Sequence, residues 1–587
     1  MRSTPLIHRL GLALALALAL AGALAARAAT KTFEVNTTND TSDGVCAPID
    51  CSLRDAIIEA NASPGADTIT LPAGTYKLVL AGPDENQSAT GDLDILESVT
   101  INGAGQTIIQ GDTGWADRIL QVVVPGAVVA IKDVTIEAGK SGAARGGGVY
   151  NQGTLTLVNS VVRGNTTAAD GGGLASDGAL TLVDSTVSGN TAGGSGGGID
   201  SQGALTLDRS TVSGNTAGGS GGGIDSQGAL TLANSTLSGN TASAGGGLAN
   251  GGTTTLNGVT VSRNSASGGS GGGLLNPAGK SISLRNSLVA GNSGAAAPDC
   301  AGSLTSQGHN LIGKTVGCVL SAASGDLKNK NPRLGPLRDN GGATLTHELL
   351  PGSPALDAGD PAIPGSGGAS CPTVDQRGIG RPQTGRCDIG AFEGVGISIV
   401  DFAFQPFSLV VRAGTIVRWK NLGAATHTTR SEQFVAEPWT SWDLAPGDTF
   451  AYRFLNPTSP GTSYAYRCSI HTNMTGTIFV TGEAVSAELL ITRLTPDTAP
   501  AGSGVLTVSI DGMYIADGAT VRWNGVELTP SAISPPDQVQ VQVPANLLAT
   551  PGDVDVTVVN PGNVESNVLT FTIVGTQQAV FVPLVLR

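Results

Sequence analysis

From Gly146 the chain repeats one unit: GGGVYNQGTLTLVNSVVRGNTTAAD, GGGLASDGALTLVDSTVSGNTAGGS, GGGIDSQGALTLDRSTVSGNTAGGS, then GGGIDSQGALTLANSTLSGNTASA. Gly146, Gly171, Gly196 and Gly221 open these units 25 residues apart, and Asn165, Asn190, Asn215 and Asn240 recur in register. A unit this short cannot bury its own apolar side, so near-copies must stack and share a continuous core. Within each unit, runs such as Leu205-Thr206-Leu207 and Thr211-Val212-Ser213 alternate with period two between glycines and an Asn-Thr turn. Such runs are strands with one side chain of each pair facing inward. Three short strands per coil, coil on coil, predict a parallel β-helix, with the recurring asparagines stacked at one bend. A leucine-rich repeat is the alternative solenoid, but the unit lacks its helix-forming half and its L-x-x-L-x-L spacing. Low-complexity disorder would also be glycine-rich. Yet the 85 glycines and 4% aromatics come with 40% hydrophobic residues at regular spacing, which is enough to build a core.

Family resemblance extends the helix in both directions. Cys51-Ser52-Leu53-Arg54-Asp55-Ala56-Ile57 resembles the CSLREA motif at the start of secreted bacterial β-helices. The GGGI and GNT units are similar to repeats of polymorphic outer-membrane proteins and other pectate-lyase-like β-helices. NPRLGPLRDNGGATLTHELLPGSPALDAGD (331–360), DQRGIGRP (375–382) and CDIGAFE (387–393) resemble the choice-of-anchor Q region that closes such helices. The resemblance implies a right-handed parallel β-helix over 31–394 and says little about activity. Lyases and hydrolases of this shape use clustered carboxylates, often with calcium, and aromatic rings for sugars. Between Gly146 and Ser293 the one aromatic is Tyr150, and Asp177, Asp200, Asp225 and Arg209 are scattered, which reads as the solvated face of a stalk. A catalytic groove among Asp92, Asp94, Asp112 and Asp117 is the alternative.

The N-terminus follows the order basic, apolar, small: Arg2 and Arg9, then GLALALALALAGALA, then Ala26-Arg27-Ala28. This is the pattern of a signal peptide over 1–28, an uncleaved anchor being the alternative. The expectation is a secreted or cell-surface protein with no transmembrane segment in the mature chain. Outside the cytoplasm disulfides persist. The seven cysteines offer three local pairs, Cys46 with Cys51, Cys300 with Cys318 and Cys371 with Cys387, leaving Cys468 over. A net charge of −14 weighs against nucleic acid or an anionic membrane surface as partner.

Cys468 lies in CSIHTNM (468–474), where a thiolate, an imidazole and a thioether fall within seven residues of a chain holding five histidines and three methionines. These are soft and borderline ligands that suit copper. After Gly396 aromatics return, and ISIVDFAFQPFSLVVRAGTIVRWKN reads as successive half-buried strands leading to NLGAATHTT and His427. Loops gathered at one end of an antiparallel sandwich bring His427 to Cys468, His471 and Met474, a His₂Cys plane with a weak axial Met. Residues 396–482 resemble cupredoxins of the plastocyanin and amicyanin group through the Cys-x₂-His-x₂-Met loop, VRWKN…HTT and APGDTFAYRF. The family implies one type 1 copper per chain held by these four residues. Thr428 stands where the family often has Asn, which implies a different hydrogen bond to the thiolate. Zinc is a chemical alternative, disfavoured by the Met ligand. Such a site makes an outer-sphere electron carrier rather than an enzyme, with a redox protein as partner.

Residues 487–574 resemble an IPT/TIG immunoglobulin-like domain, and 575–587 form a short tail ending in the apolar VFVPLVLR. The expected fold class is all-β: a right-handed parallel β-helix, a cupredoxin β-sandwich and an Ig-like β-sandwich. The expected function is extracellular electron transfer by a copper domain displayed on a stalk. The rivals are an adhesion or structural protein with an auxiliary copper site, making cell-surface or polysaccharide contacts, and, more remotely, a polysaccharide-active enzyme.

Overall fold

Each coil of the repeat is built from four strands rather than the three expected from its sequence. In the unit beginning at Gly196 these are Ile199–Ser201, Leu205–Asp208, Thr211–Ser213 and Thr216–Ala217. The fourth is only two residues long, too short for alternation to register, and its equivalents form a separate six-stranded parallel sheet from Thr166–Thr167 to Ser293–Gly294. Pairing is parallel and in register with the neighbouring coils, Leu180 to Leu205 to Leu230 and Val187 to Val212 to Leu237. The inward leucines, valines and isoleucines are buried in one continuous core. The structure is a computed structural model that describes residues 30–82, 85–433, 435–534 and 538–575. The signal-peptide segment 1–28 and tail residues 576–587 lie outside the described residues.

The recurring asparagine explains why the coils stay in register. Gly214 takes φ +63°, a left-handed turn open to glycine at little cost, and this turns Asn215 into the interior. There its Oδ1 accepts from both the backbone N–H and the Nδ2 of Asn190, at 3.0 and 2.9 Å. Its Nδ2 in turn donates to Val187 O and to Asn240 Oδ1, at 3.0 and 2.9 Å. The ladder runs from Asn165 through Asn264 and Asn292 and ends on the carboxylate of Asp299.

At the N-terminal end the structure holds a helix that the β reading of 31–394 did not include, Leu53–Ala62. Its signals are nonetheless in the sequence: Ser52 caps the Asp55 N–H, and Leu53, Ala56, Ile57 and Ala60 are spaced for one apolar face, which packs on the first coils. Arg54 is fully buried, bound to Asp40 at 2.6 Å and to the carbonyls of Gly91 and Ser88.

Residues 344–391 fold back along a flank of the solenoid, well before its last pairing at Leu327 and Lys328. Gln376 binds the hydroxyls of Thr211 and Thr236, Thr211 donates to Leu345 O, and the Ala391 N–H donates to Thr260. The strand at Thr186–Ser188 keeps a part-exposed pattern, whereas Thr211–Ser213, Thr236–Ser238 and Thr260–Ser262 are buried throughout beneath this flap. His347 is the buried pin of the arrangement. Its Nδ1 lies 2.8 Å from the Gly335 carbonyl, which can only accept, so Nδ1 carries a proton; in the neutral imidazole Nε2 then accepts from Ser238 Oγ at 2.8 Å. Burial lowers its pKa from 6.5 to about 4, with the nearby Arg263 acting in the same direction and the Gly335 bond opposing. The unfolded chain therefore takes up a proton below pH 6.5 that the folded state refuses, so this contribution is fully present above pH 6.5 and is lost as pH falls toward 4. In urea titrations, wild type should lose about 3 kcal/mol relative to His347→Gln across that window. Parallel pH profiles for the two proteins would refute the assignment.

Beyond Gly396 the chain forms two pairs of sheets. Gly396–Val400, Ala403–Gln405, Ile416–Asn421 and Thr449–Arg453 make one four-stranded sheet; Ser408–Arg412, Thr475–Thr481, Tyr464–Arg467 and Arg430–Ser431 make a second, and the two share an aromatic-rich core. From Leu490 a second pair, of four and six strands, encloses a core around Trp523 and Phe571. Ion pairs join the parts: Arg453 to Glu348 at 3.0 Å and Glu488 at 2.9 Å, Arg338 to the same two carboxylates at 2.8 Å, and Arg418 and Lys420 to Asp357. The disulfides are Cys46–Cys51, Cys300–Cys318 and Cys371–Cys387, and among the described residues Cys468 is the free cysteine, as expected. No helix of the described residues is long and apolar enough to cross a membrane.

Candidate metal centre

The site sits where three loops of the first sandwich meet. His427 follows the strand Ile416–Asn421 and is held by two main-chain hydrogen bonds with Leu444, at 3.0 and 2.7 Å. Cys468 comes directly after Tyr464–Arg467, and its loop is closed by the Cys468 N–H on Met474 O and the Met474 N–H on His471 O, both 2.9 Å. These short bonds explain the spacing: three residues on either side of His471 make two tight turns and return the chain to the strand Thr475–Thr481.

Cys468 Sγ lies 3.9 Å from His427 Nδ1 and 3.7 Å from His471 Nδ1, and the two Nδ1 atoms are 3.2 Å apart. An ion in the plane of one thiolate and two imidazoles, at about 2.3 Å and about 2.0–2.1 Å, separates its donors by roughly 3.5–3.8 Å. The three donors thus fit a single trigonal ion without rearrangement larger than a few tenths of an ångström. Among the described residues they are also the one group of three or more His, Cys, Asp or Glu side chains close enough to share a metal. Cys468 and His427 are fully buried, His471 is partly exposed, and Met474 is buried in the same core as Cys468.

The surroundings direct hydrogen-bond donors at the sulfur. Sγ receives backbone N–H groups from Thr428 at 3.3 Å and His471 at 3.4 Å. Thr428 Oγ1 is 3.7 Å from Sγ and accepts from the Ser469 N–H at 2.7 Å, so the residue that departs from the family pattern ties two ligand loops together. Burial pushes His427 below its ordinary pKa, with His471 in the same direction and Asp401 opposing, which favours the neutral, metal-binding form. The sequence did not point to Phe402. It occupies a left-handed φ of 65°, unusual for a bulky side chain, and holds an exposed ring edge-on to His471, centroids 5.0 Å apart. No local pattern marks it, because strand alternation would put Phe402 and Phe404 on the same face.

The four carboxylates named for a groove sit in different settings. Asp92 and Asp94 are buried; Asp92 is paired with Arg118 at 3.2 Å, and burial together with Asp92 and Glu85 pushes Asp94 up to about 8 against its hydrogen bond from Ser88. Asp112 pairs with Lys77 on the surface, and Asp117 accepts from the Arg118 N–H. On the repeat face Arg145 binds Asp177 and Asp200.

No family model matches the chain, and no curated protein matches it. Among solved structures, a copper-containing nitrite reductase from Thermus scotoductus SA-01 is similar at 27% identity over 16% of this chain and 24% of its own, with TM-score 0.15. A purple cupredoxin from Nitrosopumilus maritimus is similar at 25% identity over 15% of this chain and 98% of its own, with TM-score 0.13. An oxidised amicyanin mutant is similar at 22% identity over 15% of this chain and 82% of its own, also with TM-score 0.13. The chain spans about a quarter of the nitrite reductase's length.

Proposed function

We propose that the protein is an exported copper-binding electron carrier, with one type 1 copper held by His427, Cys468 and His471 and weakly by Met474. The observation that carries this reading is the set of Nδ1, Sγ and Nδ1 atoms at 3.2–3.9 Å around one point, on the one described cysteine that forms no disulfide. A copper ion held by His427, Cys468 and His471 would supply one-electron Cu(I)/Cu(II) chemistry, which suits outer-sphere transfer. The chain's part is to hold the donors fixed. The Leu444 bonds anchor His427, the Thr428 and His471 N–H groups stabilise charge on sulfur, and burial of Cys468 excludes water. His471, partly exposed beside Phe402, is the edge through which a redox partner exchanges electrons. On this reading the chain is a carrier rather than an enzyme, and the solenoid is its stalk. Export rests on the signal-like N-terminus and the disulfides; the CSLREA, choice-of-anchor and IPT/TIG resemblances belong to the same proposal.

The test is to load the mature chain with Cu(II) and record visible and electron paramagnetic resonance spectra. An intense blue thiolate-to-copper band is expected, and Met474→Gln should keep it while shifting the potential, because the axial ligand tunes the redox balance more than it holds the metal. A colourless, redox-silent complex favours the adhesion or structural reading instead.

A further inference from the structure

A second site suggests itself where the flap, the first sandwich and the second sandwich meet around a cleft of about 590 Å³. Strand Ile416–Asn421 accounts for one wall. Its alternation turns Val417 and Trp419 into the sandwich core and leaves Arg418 and Lys420 on the outer side, facing the cleft. The segment leading into the strand Leu334–Arg338 adds Arg333 and the second sandwich adds Arg493. Four cations therefore line this space against two carboxylates, Asp357 and Asp497, in a chain whose net charge is −14.

The cations are incompletely satisfied by the protein. Arg418 and Lys420 share the carboxylate of Asp357, at 3.2 and 2.8 Å, and Arg418 also donates to Thr384 Oγ1 at 2.6 Å and lies within the field of Asp388. Arg418 is nine-tenths buried, and its Nε–H is buried without an acceptor among the described residues. Arg333, partly exposed, donates to the Gly352 carbonyl at 2.7 Å, and burial lowers its pKa against the opposing field of Asp497. Arg493 lies over the ring of Trp442, 4.9 Å from its centroid, which orients the guanidinium and leaves its N–H edge free.

We propose that this cleft binds a small oxyanion of the phosphate or sulfate class. Converging guanidinium and ammonium groups with unused donors match tetrahedral oxyanions, whose several acceptor oxygens take charge-assisted hydrogen bonds from more than one side chain. The proposal is independent of the copper reading, since it uses none of the four metal-site residues.

Isothermal titration of the full mature chain with inorganic phosphate and, separately, sulfate, at constant ionic strength set with chloride, tests it. Saturable binding of one anion per chain is expected. Arg493→Gln, an exposed position whose loss leaves the sheets intact, should weaken it at least about tenfold, as should Lys420→Gln. Cys468→Ser should leave it unchanged, which separates this site from the metal centre. Absence of saturable binding, or an affinity that Arg493→Gln does not alter in a protein with a native circular dichroism spectrum, overturns the proposal.

Discussion

Cys468→Ser is expected to abolish the visible colour that the proposed copper site would give and to leave the circular dichroism unchanged. Cys468 supplies the one sulfur among the clustered donors, at 3.9 and 3.7 Å from the two imidazole nitrogens, and a thiolate is the source of the charge-transfer band. The serine oxygen fits the buried position but offers a harder, protonated ligand, so copper affinity should fall by more than the about 10–100-fold typical of losing a supporting hydrogen bond. Thr428→Val calibrates that lesser effect: it removes the hydroxyl 3.7 Å from sulfur and the acceptor for the Ser469 N–H, yet keeps every donor atom. Its spectrum should remain blue with weakened binding. An intense band that survives in Cys468→Ser would sink the assignment of the ligand.

Asn215→Ala carries the largest expected cost to the fold. It strands the Asn190 N–H, one hydrogen of the Asn190 amide and the Val187 carbonyl in a place water does not reach. At about 1–3 kcal/mol for each buried group left unpaired, and some relaxation, the loss should be about 3–5 kcal/mol. Gln202→Ala, an exposed change on the same coil, should stay within about 0.5 kcal/mol. Urea unfolding gives the comparison, and hydrogen exchange localises it: the Asn190 amide should lose protection in Asn215→Ala. A cost for Asn215→Ala no larger than that of the surface control would mean that the leucine core alone holds the coils in register.

The stacking direction was legible because identical residues recur 25 positions apart, and parallel in-register pairing follows from that alone. The fourth strand was hidden because Thr216–Ala217 is too short to show alternation. The helix Leu53–Ala62 is only ten residues long, so its apolar spacing at Leu53, Ala56, Ile57 and Ala60 competes with the β periodicity on either side of it. The flap's course along the flank depends on Gln376 meeting Thr211 and Thr236, partners well over a hundred residues away that no local pattern announces. At the metal centre all four candidate ligands stood out by rarity, and the structure brings the two imidazoles and the thiol together. Phe402 and the Leu444 clamp on His427 were not legible, since each depends on which loops become neighbours.

The asparagine ladder also bears on heredity. Asn190 meets Asn215 through the same atoms with which Asn215 meets Asn240, so each joint between coils is a chemical duplicate of the next. Misaligned recombination between near-identical gene segments that adds or drops one whole unit at a coil clear of the flap rebuilds the same joint. Solenoid length can then change in steps of about 4.7–4.9 Å, the spacing of neighbouring strands, while the two ends of the chain stay unchanged.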